Sequence, residues 1–216
     1  MLRLTERLNA VALLVRDNST LADIGCDHGF LPVYLVLNGR IKSAVASDIN
    51  SAPLDSCKAL VSQYGLEDKI KCVLSDGLRN INQDEADDIA VCGMGGELIA
   101  DILSACEWAK DSGKHYIFNP MTHPEILREY LCKNGFEIGT DIIVKEGRHY
   151  YNVLDAVYTG EIKERSEAYY FLGNIDDFKY KEYFHHLLNY LENKMKGGAD
   201  HSAVIAAIKE KLNDDC

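Results

Sequence analysis

The sequence predicts an α/β fold, a mainly parallel sheet ending in an antiparallel hairpin, followed by a small C-terminal helical hairpin domain. Three observations predict it. From residue 21 onward, short β-branched runs alternate with helical patterns, which is the order of strands and crossover helices in a parallel sheet. Two later extended runs are joined by only four residues, too few for a helical crossover. Beyond Gly160 the pattern is purely helical.

A first helix over Thr5 to Val15 carries Leu4, Leu8, Val11, Ala12 and Val15 on one face, so it should lie across the sheet. The predicted parallel strands are Leu21 to Gly25, Ser43 to Ile49, Ile70 to Asp76, Asp87 to Cys92 and His115 to Asn119. Helices are expected to begin near Gly29, Ser51, Gly95 and Thr122, with Ser51 as an N-cap and Pro53 in the first turn. Phe136 to Lys145 and Tyr150 to Tyr158 form the hairpin. Tyr180, Phe184, Leu187, Leu188, Leu191 and Met195 make a stripe at helical spacing, broken at Gly197 and Gly198 and resumed by Val204, Ile205, Ile208 and Leu212. A parallel sheet that finishes in this way is the pattern of class I Rossmann-like methyltransferases. The expected boundaries are residues 1–160 for that domain and 161–216 for the helical hairpin.

Of the 216 residues, 47% are apolar and 26% charged, enough for one full soluble domain and an appendage. The net charge of −11 excludes gripping nucleic acid through a general positive field, so any polyanion must be held locally. The longest apolar stretch, Leu31 to Leu37, is far short of the ~20 residues that span a bilayer, and Arg3, Glu6 and Arg7 spoil a signal peptide. A cytoplasmic protein without membrane contact is expected. Seven scattered cysteines without a C-x-x-C pair argue against a zinc site and a disulfide framework, so no metal is expected and most cysteines read as small buried apolar residues.

The chemistry concentrates at the predicted C-terminal edge of the sheet. Asp23-Ile24-Gly25-Cys26-Asp27-His28-Gly29 lies where an open α/β sheet binds nucleotide-like ligands, and Gly25 and Gly29 permit the tight turn. A pyrophosphate needs bare amides, and the carboxylates of Asp23 and Asp27 would repel it. S-adenosylmethionine carries a sulfonium and an ammonium, which carboxylates favour, so the loop selects the methyl donor over a nicotinamide dinucleotide. Asp48, 23 residues after Gly25 and followed by Ile49, stands where an acid accepts from ribose hydroxyls. Asp76-Gly77 ends the third strand, where a carboxylate can accept from an adenine amine; an ordinary Asp-Gly turn is an equal reading. Gly93-Met94-Gly95-Gly96 admits close approach of cofactor or substrate to the backbone. Asn119-Pro120-Met121-Thr122-His123-Pro124 should form an extended loop over the same edge, its amide offering a donor and an acceptor to a nucleobase.

These residues resemble the bacterial tRNA adenine-N1 methyltransferases that modify adenosine 22 in the D arm. The resemblance rests on Arg7-Leu8, the Asp23 to Gly29 loop with its Asp-His pair, the Gly93 to Gly96 turn and Asn119-Pro120, and it extends to a C-terminal hairpin like the family's coiled-coil domain. It implies methyl transfer from S-adenosylmethionine to ring nitrogen 1 of adenine in a tRNA substrate. That nitrogen has an in-plane lone pair and needs no prior deprotonation, so positioning and electrostatics carry the reaction. Asp27 would favour the positive charge developing on the base, and Asn119 or its loop would hold the base edge. Arg7 and His28 complete the expected catalytic set. His28 could orient the base or accept a proton from the exocyclic amine, or could equally be a helix-start histidine bonded to backbone, and a loop-shaping role is the favoured reading for His123. Phosphate contacts are expected from Arg3, Arg7 and Arg16, from Lys145 and Arg148 at the hairpin, and from Lys179, Lys181, Lys194 and Lys196. Tyr180, Tyr183 and Tyr190 lie nearby, and core packing is the favoured reading for them. A monomer is expected. The overall acidity keeps two alternatives open: a small-molecule methyltransferase, and a protein that holds cofactor or tRNA without turnover.

Overall fold

The computed structural model describes residues 2–175 and 180–214. Helix α1 (Glu6–Leu14) starts at Thr5, whose hydroxyl accepts from the Leu8 amide, and it packs Val11 and Ala12 onto the sheet. Strands β1 (Thr20–Ile24), β2 (Ser43–Asp48), β3 (Ile70–Leu74), β4 (Asp88–Gly95) and β5 (His115–Thr122) run parallel, linked by α2 (Phe30–Leu37), α3 (Ser51–Gln63) and α4 (Gly96–Ser104). After α5 (Pro124–Lys133), β6 (Phe136–Glu146) and β7 (His149–Tyr158) form the antiparallel hairpin, turned by Gly147-Arg148. The sheet order is β3-β2-β1-β4-β5-β7-β6, and the order reverses between β1 and β4. Above that reversal the strand ends open a crevice.

Both faces of the sheet are covered, so β1 is apolar on both sides instead of alternating: Leu21, Ala22 and Ile24 are all buried. One face packs against α1, α2 and α3 through Val11, Leu31, Leu35 and Leu54. The other packs against α4 and α5 through Ile99, Leu103, Leu127 and Leu131.

Several predicted ends move: β3 stops at Leu74 instead of Asp76, and β4 and β5 end three residues later. Beyond Cys92 and Asn119 the chain does not become loop: β4 and β5 continue, with Met94 opposite Pro120 and Gly95 opposite Thr122 across a bulged register. Pro120 is tolerated because β5 pairs with β7 only through Phe118, so no β7 carbonyl awaits its missing amide. Asn50 holds the cap position of α3 and Ser51 is its first helical residue, a shift of one. A short helix α6 (Glu167–Leu172), which the spacing does not reveal, precedes α7 (Lys181–Lys196) and α8 (Ser202–Asp214).

The α7–α8 pair buries Phe184, Leu188, Leu191, Val204 and Ile208 in a cluster that also takes Leu172 from α6 and Ile143 from β6. Below it the fully buried Arg128 makes a two-pronged pair with Asp141, at 2.8 and 2.9 Å, and donates to the Tyr170 carbonyl. That arrangement ties α5, β6 and α6 together, and losing either partner would strand a buried charge.

At the opposite end of the sheet from the crevice, Asp88 accepts from the Arg16 amide and guanidinium at 2.6 and 2.5 Å. Arg16 is therefore committed to the fold and not to phosphate. His115 lies between Asp155, 3.2 Å away, and Asp88, 3.7 Å away. Burial opposes its charge, but the two carboxylates outweigh burial and push it up to about 9. A histidine that titrates near 6.5 in the unfolded chain and near 9 in the fold stabilises fully below 6.5 and loses that contribution as pH rises through 9. The expected loss is on the order of 3 kcal/mol between pH 6.5 and 9.5. Urea unfolding across that window reads it, and His115→Gln should flatten the decline.

Candidate active site

The crevice at the reversal is a cleft of about 430 Å³. Its rim begins with the β1–α2 loop, where Gly25, Asp27 and Gly29 alternate at φ +70°, +50° and +71° with ordinary residues between. The loop is pinned by the Cys26 amide on the Ser47 carbonyl and the Gly29 amide on the Cys26 carbonyl, both at 2.8 Å. Gly29 is dictated twice, because a Cβ there would also lie 2.4 Å from the Cys57 sulfur on α3. Asp27 adopts the left-handed region without being glycine, a strained placement that leaves its carboxylate about 70% exposed at the mouth.

Asp23, Gly25, Asp27, Asp48, Ile49, Asp76, Gly77, Gly93 and Met94 all line this cleft, together with Arg7 and His28. Gly29 does not; its place is the packing of α2 on α3. Asp48 accepts from the Asn50 amide at 2.9 Å and from the Asp27 amide at 3.4 Å. Asp23 is 4% exposed, and burial first, then the charge of Asp48, push it up to about 7. His28 stands 3.7 Å from the Asp27 carboxylate and is half exposed. His123 is turned toward Glu125 at 2.9 Å and caps α5 in a left-handed conformation, consistent with loop shaping. Gly96 lets that segment cross: a Cβ would lie 2.1 Å from the His123 carbonyl oxygen.

Asn119 departs from expectation. It is fully buried, its Oδ1 accepts from the Arg7 guanidinium at 2.7 Å, and its Nδ2 donates to the Asn152 carbonyl at 2.8 Å. With both ends taken it does not face the cleft, and Arg7 is the group presented there. Sequence reasoning also missed Phe30, Asn50, Ser75, Leu98 and Ile102, which complete the lining. Ile49 and Leu98 are more than half exposed, an apolar surface suited to a flat ring. Burial pushes the Cys92 thiol up, so it lines the cleft as an apolar group, not as a nucleophile.

Four carboxylates thus face one guanidinium. Such a lining rejects a pyrophosphate and fits a nucleoside that bears positive charge. Among the described residues no group of three His, Cys, Asp or Glu side chains is placed to hold a metal ion, and no helix is long and apolar enough to cross a membrane.

Comparison with known proteins agrees with this geometry. Residues 4–154 match the family described as a methyltransferase domain. The tRNA (adenine(22)-N(1))-methyltransferase of Bacillus subtilis is 38% identical over 168 residues, covering 78% of this chain and 69% of that protein. A Streptococcus pneumoniae protein solved in complex with S-adenosyl-L-methionine superposes with a TM-score of 0.88 at 29% identity, covering 97% of this chain and all of that one. TrmK of M. capricolum, solved with S-adenosyl-homocysteine, gives a TM-score of 0.78 at 29% identity, covering 97% of this chain and 95% of its own.

Burial and the neighbouring charge make an ionised Asp23 a burden on the fold. A carboxyl at about 7 in the fold and 3.8 unfolded contributes stability present at low pH and lost as pH rises through 7. Asp23→Asn should therefore stabilise the ligand-free protein at pH 8 by on the order of 3 kcal/mol, with the gain gone near pH 4. Thermal melts at the two pH values measure it; an equal gain at both would mean that Asp23 is not charged in this way.

Proposed function

The chain belongs to the tRNA (adenine(22)-N(1))-methyltransferase family, and from that premise we infer how its cleft performs the reaction. It transfers a methyl group to N1 of adenosine 22 in the D arm of tRNA, and the observation that carries this reading is the acidic cleft at the β1/β4 reversal. S-adenosylmethionine, when bound, supplies an electrophilic methyl group on a positive sulfur.

The residues divide the work by position. Asp23, buried at the floor, and Asp27 favour the positive groups of the donor, and Asp48 accepts from its ribose hydroxyls. Asp76 accepts from the adenine amine, and Ile49 and Leu98 supply apolar contact to the ring. Gly25, Gly77, Gly93 and Met94 bring backbone close to the ligand. At the mouth, Asp27 is placed to offset the charge that develops on the methylated base, with His28 beside it to orient that base. Arg7 has one N–H committed to Asn119 and keeps others for an acceptor on the target nucleotide. Asn119 acts through Arg7 instead of touching the base.

The target base is stacked or paired in a folded arm, so extracting it costs a few kcal/mol that phosphate contacts elsewhere must offset. With Arg16 spent on Asp88, the remaining candidates are Arg3, Arg148, Lys181, Lys194 and Lys196. Lys145 is shared with Glu182, and Lys194 sits 5.1 Å over the Tyr190 ring. Lys179 lies outside the described residues. Residues 161–216, read as a separate helical unit, carry several of these cations and would lie along the tRNA backbone. We read the protein as a cytoplasmic monomer.

Incubation with labelled S-adenosylmethionine and unmodified tRNA should place one methyl at N1 of adenosine 22, found by mapping the modified nucleotide. Label appearing only on metabolites would favour a small-molecule enzyme, and cofactor binding without transfer would favour a non-catalytic protein. Asp27→Ala should lower turnover at least about a hundredfold, roughly 3 kcal/mol of barrier, with the fold intact by circular dichroism. Affinity for tRNA should also fall steeply from 50 to 200 mM salt; a flat profile would deny phosphate contacts.

A further inference from the structure

Three contacts tie Arg7 to the β6–β7 hairpin or to a group that the hairpin holds. Its backbone amide donates to Glu146 at 2.9 Å, its guanidinium lies 5.7 Å over the Tyr151 ring, and its NH1 donates to Asn119 at 2.7 Å. Asn119 is in turn oriented from β7. Because a guanidinium only donates and a carbonyl only accepts, the amide orientation is settled: Oδ1 toward Arg7, Nδ2 toward the Asn152 carbonyl.

The hairpin is itself gripped by the first turn of α7. The Tyr183 hydroxyl donates to Oδ1 of buried Asn152 at 3.1 Å. One residue earlier, Glu182 accepts from Lys145 at 3.1 Å and from the Tyr150 hydroxyl. The Tyr183 and Tyr150 rings are 6.1 Å apart, edge to face. Two routes therefore run from adjacent residues of the helical hairpin to one side chain in the cleft. One passes Tyr183, Asn152 and Asn119 to the guanidinium; the other passes Glu182, the strand carrying Lys145 and Glu146, and the Arg7 amide.

Resting on the functional reading above, we propose that Tyr183, with Glu182 in support, is a positioning residue for methyl transfer. The C-terminal helices set the placement of Arg7 in the cleft, beyond any contact they make with RNA. Tyr183 is half-buried and lies outside the cofactor cleft, and its hydroxyl is linked to that cleft through Asn152 and Asn119. A two-state element need not be invoked: Tyr183 holds the Asn152 side chain while the main-chain carbonyl of the same residue anchors Asn119, so freeing that side chain loosens the carbonyl and, through the amide, the guanidinium, and misplacement by about 1 Å costs up to about a hundredfold.

A double-mutant cycle tests this. Tyr183→Phe removes one hydroxyl and keeps the ring; it should lower kcat for adenosine 22 methylation about tenfold at saturating cofactor and tRNA, with KM for tRNA within twofold. Arg7→Lys removes the fork and should lower kcat further. In the Arg7→Lys background, Tyr183→Phe should have less than a twofold effect, because the group it positions is gone. Glu182→Ala, at an exposed site that leaves the core intact, should repeat the pattern with a smaller factor. A purely structural role for Tyr183 predicts the same loss in both backgrounds, and that result, or an unchanged kcat in Tyr183→Phe, overturns the proposal. A change confined to KM for tRNA also overturns it, since it would make Tyr183 an RNA contact. Wild-type protein that methylates no tRNA overturns the functional reading and this inference together, whereas an additive cycle on an active enzyme removes the inference alone.

Discussion

Two carboxylates lie close together at the ends of β1 and β2, where burial and the charge of Asp48 both work against ionising Asp23. The register of the two strands, with Ile24 opposite Ser47, leaves the chain no freedom to separate them. Their treatment is unequal. Asp48 accepts amides from Asn50 and Asp27, whereas Asp23 is left with burial and a like charge. The cleft therefore has a place for positive charge before any ligand arrives. A cationic nucleoside relieves the repulsion, and binding returns as stability part of what the ligand-free fold forgoes.

How much of this was legible in the sequence follows from how local each interaction is. The Asp23 to Gly29 loop could be read because its conformation is written into adjacent residues: two glycines and an aspartate in left-handed positions, next to an apolar strand. Asp48, Asp76 and Gly93 followed because parallel strands bring their C-terminal ends to one edge. The sequence puts Asn119 on the right edge but cannot say that Arg7, 112 residues away, and Asn152, 33 residues away, occupy both ends of its amide. The same holds for Arg16, which looked like a phosphate ligand until Asp88 was found against it, and for the Arg128–Asp141 pair, invisible without the fold. Leu98 and Ile102 escaped notice for another reason. They lie on an amphipathic helix whose apolar residues read as core, and only the crossing of α4 past the strand ends turns two of them toward the cleft.

Net acidity and a polyanionic substrate stop conflicting once the charges are sorted by place. The acidic groups that matter for chemistry are gathered inside one cleft, where they act on the donor and the base at short range. Buried Arg128 is spent on Asp141 and exposed Arg16 on Asp88, carboxylates that would otherwise be buried alone, so neither pair adds net positive charge to the surface field. What remains for RNA is a scatter of lysines and arginines, which favours a grip made of few phosphate contacts and strong dependence on the fit of one nucleotide.

That distribution also suits the charge flow of the reaction. Methyl transfer to N1 moves one positive charge from sulfur to the adenine ring and creates no net charge, so a cleft of fixed negative groups stabilises both ends of the step. Carboxylates placed only around the donor would favour the starting state and slow the transfer, because binding that is equal or stronger before the step does not accelerate it. In the mechanism proposed above, Asp23, buried at the floor, serves the donor, and Asp27, turned outward at the mouth by its left-handed backbone, serves the charge arriving on the base. On that reading the left-handed placement of Asp27 adds, to a pocket for a cation, a second place for the charge to go.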